Sequence, residues 1–474
     1  MRSIGVLARV IPAVAVMATI GVVAWLVVPR LDLGGDDGVE VGEPVDVDEW
    51  PEELRPFVEF VEEERDLRFL EVVDVELMKD KAFEQAVTDD EELTDEDRDE
   101  IEQAQEQFRA LGLVGPDVDL YAESQRLQGA GVVGFYSFDD RDIKVRGTEL
   151  TPSTRATLVH ELVHALQDQH FDISDRAEEL SEREDGSSTA FRALVEGDAS
   201  RVGTAWKAQL DDEEKAALEK ETTAETEAFE SASADIPPVL VALLGAPYAL
   251  GETMVDLAVA LDDVAALDGL FDAPPTTEEE ILDPWVLLRD QDAAEPVDVD
   301  VPETGEGEEQ TDSGPFGAFG WYVVLAQRVD VATALEAADG WGGDAYSAFE
   351  RDGGTCLRIA YRGDTPQDVD QMAAALEEWI ADSPDTALLQ RTDDGLTFAS
   401  CESGETPPSG RADEIISLPA IRTTLTTQLV DSGAPDDVAR CFATRAVQEL
   451  TIAELSSSDP ADAEKFQRLA VQCR

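Results

Sequence analysis

Eleven residues, His160-Glu161-Leu162-Val163-His164-Ala165-Leu166-Gln167-Asp168-Gln169-His170, hold all 3 histidines of a 474-residue chain. Histidine is the scarce side chain here and acid the abundant one, so the clustering carries information. Residues four apart on an α-helix share a face, about 6 Å apart along the axis, so His160 and His164 can offer imidazole nitrogens to one metal ion. Glu161 sits about 100° around the helix from His160, placed to reach a metal-bound water without ligating the metal. The chemistry such a trio performs is hydrolysis: the nitrogens hold a cation and the carboxylate moves a proton. The plain alternative is a buried helix whose two histidines bond to carbonyls.

Two histidines do not complete a site, and two residues can supply the third ligand. His170 would give H-E-x-x-H-x-x-Q-x-x-H, the metzincin spacing with Gln167 where a glycine turns the chain out of the helix. On an unbroken helix His170 points about 240° away from His164. Gln167 is a good helix former and tolerates that turn poorly. Glu196, in Ala193-Leu194-Val195-Glu196-Gly197-Asp198-Ala199, lies on a second helical stretch after the loop Asp172–Ser188. A His-His-Glu site on two antiparallel helices is the gluzincin arrangement, and the turn argument favours it. The bland readings are a surface glutamate and a histidine at a helix C-terminus.

These segments, together with P-Y-x-x-G (247–251), P-P-T-T-E-E-E-I-L-D-P (274–284) and G-W-G-G-D (340–344), resemble a group of bacterial and archaeal gluzincin-like zinc metallopeptidases. Many of its members are anchored by one N-terminal helix. The likeness spans roughly residues 50–400. It implies zinc on His160, His164 and Glu196, with Glu161 as general base and a peptide or protein as substrate. Tyr248 is a candidate for stabilising the oxyanion, against a packed tyrosine bonded to backbone. Asp198 and Asp168 are candidates to orient the imidazoles.

The elements that must position these groups follow from local patterns. Thr151-Pro152-Ser153-Thr154 reads as a helix start, and Arg155 to Gln167 holds no Gly or Pro. The second metal helix is expected over Thr189 to Leu210. Gly131–Arg146 reads as a β-hairpin leading into the first, either structural or an edge that takes substrate in extended form. Arg68–Leu77 alternates as a strand. Pro237–Leu261 is apolar enough for a membrane, yet Gly245, Pro247, Gly251, Glu252 and Asp256 mark it as a core helix. Asp211–Asp235 is an exposed helix or a mobile loop.

A formal charge of −71 repels polyanions and sets nucleic acid aside as a partner. Such a surface suits solubility in strong salt, and an acidic proteome from a GC-rich genome reads the same way. Arg2 and Arg9 precede Val10–Val28, nineteen uncharged residues and about 28 Å of helix. We read a membrane anchor over residues 1–30, left uncleaved rather than removed as a signal peptide, which puts the bulk of the chain outside the cell membrane. An acidic linker (31–49), a zincin-like metallopeptidase domain (50–290), a second acidic linker (291–315), an α+β module (316–410) and a helical segment (411–474) follow. In the module a helix is expected over Phe316–Ala338 and over Pro366–Ala381, with strands at Ser347–Phe349, Thr355–Tyr361 and Ala387–Ala399. All four cysteines lie in this last part, and the expected pairs are Cys356–Cys401 and Cys441–Cys473.

The fold class expected is α+β: a mostly helical zincin-like domain with a small N-terminal sheet, then the small module and the helical tail. The function expected is zinc-dependent peptide hydrolysis by a membrane-anchored, outward-facing enzyme. Its rival is a catalytically silent envelope protein of the same fold that binds a partner or serves a structural role.

Overall fold

The computed structural model describes residues 43–88, 95–138, 140–181, 183, 185–289, 296–383, 387–404, 411–457 and 459–473. The expected membrane segment, the linker up to residue 42 and residues 89–94 of the charge run lie outside them. The architecture is α+β, with two small sheets among many helices.

Trp50, just after a 3-10 turn at Val47–Glu49, is buried against Phe69. Helix α1 (Arg55–Arg65) buries the stripe Phe57, Val58 and Val61 and ends on Asp66 in the left-handed region. Strand β1 (Asp74–Met78) is shorter than the alternation predicts, because only these residues find a partner opposite. Helices α2 (Asp80–Thr88), α3 (Asp95–Ala110) and α4 (Leu120–Gly131) lead to the expected hairpin, β2 (Gly134–Ser137) and β3 (Asp142–Arg146). β3 is central, parallel to β1 and antiparallel to β2, so β2 is an edge strand.

The metal-site candidates lie on α5 (Pro152–Phe171) and α7 (Ser187–Gln209). The connection between them is not the expected open loop: α6 (Ile173–Ser181) forms there by burying Ile173, Ala177 and Leu180 at helical spacing. The charged segment after α7 is a helix, α8 (Asp212–Ser233), started by a capping box of Asp211 and Glu214. Helix α9 (Pro238–Leu261) has the length and hydropathy of a membrane span but packs as a core helix, with Met254, Val255, Leu257 and Ala258 buried. Short helices α10 (Ala265–Asp272), α11 (Glu279–Leu282) and α12 (Pro284–Arg289) complete this half.

The second sheet runs β4-β5-β6-β8-β7, all antiparallel. The segment expected to be a bare linker contributes its edge strand β4 (Glu309–Gly314). The single helix expected next is two, α13 (Ala318–Ala326) and α14 (Val331–Ala338), because Asp330 caps a new start by accepting from the Ala332 N–H. Strands β5 (Trp341–Arg351) and β6 (Gly354–Gly363) outrun their predicted lengths, and α15 (Pro366–Ala381) matches its own. The last predicted strand is a hairpin, β7 (Leu388–Arg391) and β8 (Leu396–Cys401), closed where the Thr392 N–H meets Gly395 O. Helices α16 (Ala412–Asp431), α17 (Asp436–Glu449), α18 (Ile452–Leu455) and α19 (Pro460–Gln472) follow. Both disulfides form as expected: Cys356–Cys401 joins directly opposed residues of β6 and β8, and Cys441–Cys473 ties α17 to the end of α19.

One hydrophobic cluster extends from Phe83 and Leu111 through Leu240 and Leu244 to Trp321, Phe398 and Leu425. It joins the first half of the chain to the sheet and the C-terminal helices. Two buried carboxylates reinforce that join at the N-terminus of α13. Asp344 accepts from the Phe316 N–H (2.7 Å), the Trp321 indole (2.8 Å) and the Trp341 indole (2.7 Å). Glu278 lies beside it, its charge favoured by the Phe319 and Gly320 N–H groups and by Thr189 on α7. Gly317 has φ +81°, and a Cβ there would lie 2.5 Å from Glu278 Oε2. The segments 274–284 and 340–344 thus meet at one helix end.

Candidate metal centre

Thr151 accepts from the Thr154 N–H, Pro152 occupies the first turn, and α5 runs unbroken to Phe171. Gln167 therefore does not turn the chain, and His170 stays on the far side, where its Nε2–H donates to Arg68 O at 2.8 Å. That excludes His170 from the group formed by the other two histidines. Nearly every residue from Ser153 to Gln167 is buried, because α1, the small sheet, α7 and α8 surround the helix. His160, Glu161 and His164 are buried with the rest.

Glu196 reaches them because α7 and α9 cross at glycine contacts. A Cβ at Gly251 would lie 1.9 Å from Ala193 O, and one at Gly197 would lie 2.2 Å from the Gly251 carbonyl carbon. Only hydrogen fits at both positions, and the closeness brings Tyr248 of α9 onto Glu196 of α7. The Tyr248 hydroxyl donates to Glu196 Oε1 at 2.9 Å. The other carboxylate oxygen, Oε2, is 3.3 Å from Nε2 of both His160 and His164, and those nitrogens are 3.1 Å apart. Among the described residues these three side chains form a group able to hold a metal ion.

The donor set fits zinc. Tetrahedral coordination at about 2.0–2.1 Å places ligand atoms about 3.3 Å from one another, which is the spacing found. The tautomer fits as well. Gln167 Nε2 donates to Val195 O (3.1 Å) and Asp198 Oδ2 (2.9 Å), both of which can only accept. Its Oε1 therefore faces His164 Nδ1 at 3.0 Å, so Nδ1 carries the hydrogen and Nε2 keeps its lone pair for the site. Asp198 is held in turn by Arg65 of α1 at 2.8 Å, and Arg65 also reaches Asp268 of α10 at 3.0 Å.

Electrostatics reinforce the grouping. Burial disfavours a charged imidazole at His164, yet the Glu196 carboxylate overrides it and raises the pKa to about 9. A metal ion taking the Nε2 lone pair would therefore displace a proton there. Burial alone would raise Glu196, but the two histidines pull it well below the usual carboxylate range. Glu161 goes the other way: burial pushes its pKa up, against the pull of the neighbouring imidazoles. The backbone N–H of Tyr136 on β2 favours its charged form, and Oε2 is buried with no partner. An orphaned buried carboxylate oxygen beside three converging ligand atoms marks a place for a polar guest.

His160, Glu161, His164, Glu196 and Tyr248, all expected at the site from their sequence pattern, come together in the structure. Of the two aspartates proposed to orient the imidazoles, Asp198 acts at one remove, through Gln167. Asp168 instead accepts the Tyr136 hydroxyl at 2.9 Å and touches neither histidine of the group. Gln167 and Arg65 were missed. The i, i+3 spacing from His164 was the available signal for Gln167; Arg65 had none, since its partners are 133 and 203 residues away.

Residues 304–407 match a family model described as a domain of unknown function (DUF8575). No curated protein and no solved structure matches the chain. The matched segment carries the five-stranded sheet with α13, α14 and α15, and none of the residues grouped around His160.

Proposed function

We propose that the chain is a zinc-dependent, gluzincin-like peptidase, zincin-like in the half that carries α5 and α7, with His160, His164 and Glu196 as ligands and Glu161 as general base. The observation that carries this reading is the convergence of three ligand atoms beside the unpartnered Oε2 of Glu161. Bound there, zinc would supply Lewis acidity, lowering the pKa of a water and polarising a carbonyl.

Glu161 does the proton work. Its raised pKa suits a group that must accept a proton from water and release it to a leaving amine. Its Oε2, without a partner, is left to face the reacting water. Tyr248 has a single donor, spent on Glu196, so its first task is to hold that ligand; it serves the oxyanion only by exchanging this bond. Gly134 of edge strand β2 packs directly against Thr157 and Glu161, which supports an extended substrate laid beside that edge. The two disulfides support an oxidising, extracellular setting, in line with the proposed N-terminal membrane anchor.

The test is zinc content by elemental analysis with a casein-type digestion before and after chelation. Glu161→Gln is expected to abolish digestion while zinc remains at one per chain. A protein that holds no zinc, or a Gln variant that digests at the parent rate, would overturn the proposal.

A further inference from the structure

Beside the grouped histidines lies a pocket lined by Phe138, Ile173, Ala177, Ser188, Phe191 and Val195, together with His164 and Glu196. One cation lines it. Arg192 stands on α7 one turn before Glu196, so both side chains leave the same face of the helix. Its charge acts on the Tyr248 hydroxyl, the group that also holds Glu196. Its Nε and one terminal nitrogen, Nη2, are buried without a partner.

The chain has 106 acidic residues against 35 basic ones, and the two buried arginines among the described residues, Arg65 and Arg422, are ion-paired, though each keeps one buried nitrogen without a partner. Arg65 has Asp198 and Asp268, and Arg422 has Asp339. Among the described residues no carboxylate lies within ion-pair distance of Arg192. A guanidinium left with buried, unused N–H groups is costly, and planar bidentate anions satisfy it best. Apolar walls with one such cation, next to the proposed reacting centre, are complementary to one feature of a peptide: its C-terminal residue, an apolar side chain beside a free carboxylate.

Resting on the hydrolase reading above, we infer that the substrate is a peptide with a free C-terminus and that Arg192 binds its carboxylate. The enzyme is a carboxypeptidase for apolar terminal residues. The apolar side chain lies at the pocket, whose volume of about 20 Å³ must widen to admit it. The carboxylate pairs with Nε and Nη2 of Arg192 as the arginine side chain turns to expose them, and the last peptide bond lies at Glu161. Water adds across that bond: its oxygen joins the carbonyl carbon, and its proton passes through Glu161 to the departing amine. A C-terminal amino acid leaves and the peptide is shortened by one residue.

The test measures binding as well as turnover. An N-acylated dipeptide ending in leucine, as free acid and as amide, is titrated into the zinc-loaded full chain carrying Glu161→Gln. Charge-assisted pairing predicts that the acid binds about 10- to 100-fold tighter than the amide. Arg192→Met is expected to erase that preference with zinc content unchanged, and Arg192→Lys to keep only part of it. Equal binding of acid and amide, binding of neither, or a full preference in either Arg192 variant overturns the inference. If the Met variant fails to hold zinc, the Lys variant decides. The two readings separate cleanly. Cleavage of amidated peptides at internal bonds with no acid preference sinks the inference and leaves the peptidase standing. Arg192-dependent preference for the acid, with no leucine released by the parent chain, sinks the peptidase and leaves the anion site.

Discussion

Gln167 presents its carboxamide oxygen to His164 Nδ1 at 3.0 Å while its amide nitrogen donates to Asp198 at 2.9 Å. A neutral side chain thus passes the orientation set by a buried ion pair on to an imidazole. Where a carboxylate contacts a ligand histidine directly, it adds basicity; here the amide fixes the ring and adds no charge. Replacing Gln167 with Ala is expected to weaken zinc binding about 10- to 100-fold, read by competition with a chromophoric chelator. Unchanged affinity would remove Gln167 from the support of the site.

Arg65 and Asp198 are fully buried and 133 residues apart in sequence. Arg65→Ala strands Asp198 and should lower unfolding free energy by about 3–5 kcal/mol, measured by urea denaturation. Adding Asp198→Asn is expected to return part of the loss. Equal losses in the single and double variants would show that the two side chains are not coupled.

At the α7–α9 crossing, Gly251→Ala places a methyl group 1.9 Å from Ala193 O, backbone that cannot step aside. A drop of at least about 3 kcal/mol is expected, with the Tyr248–Glu196 contact and zinc affinity lost together. Gly269 on α10 has nothing within 4 Å of its would-be Cβ, so Gly269→Ala is the control and should stabilise by roughly 0.5–1 kcal/mol. Similar melting temperatures for the two variants would contradict the packing described.

Burial, with Asp364 and Asp283 nearby, raises Glu279 to about 9; burial beside Asp344 raises Glu278 to about 7. Each folded pKa lies above the unfolded value, so the native state holds the extra proton and stability falls as pH rises between the two. From pH 5 upward the unfolding free energy should decline by up to about 1.4 kcal/mol per pH unit for each group. The Glu278 contribution ends near pH 7 and the Glu279 contribution near pH 9. Glu279→Gln is expected to flatten the upper part of the curve, and an unaltered pH profile in that variant would refute the assignment.

The helices that carry the candidate ligands are legible because helical spacing and histidine scarcity say the same thing about His160 and His164, and an apolar triplet marks Glu196. Other parts were hidden for identifiable reasons. Only Ile173, Ala177 and Leu180 signal α6, and the acids between them mask the stripe. The Asp394-Gly395 pair was a visible turn signal for the β7–β8 hairpin, overridden by reading the flanking residues as one run. Strand β4, Glu309–Gly314, has no apolar alternation, and pairing with β5 alone makes it a strand. Arg192 carries no motif. Its interest lies in a partner it lacks, which only three dimensions reveal.

Helix α3 covers the second sheet, yet it precedes that sheet by hundreds of residues. Glu106 meets Thr355 across 249 positions, Gln107 meets Asp312 across 205, and Ala110 O meets Ser400 across 290. At about 5–20 residues per second a ribosome needs roughly ten to sixty seconds to span such intervals. The early third of the polypeptide must wait, uncommitted, for its late third to arrive. Packing of α3 therefore depends on delivery of the chain through strand β8, and a product truncated before it would leave α3 without the complete sheet it covers.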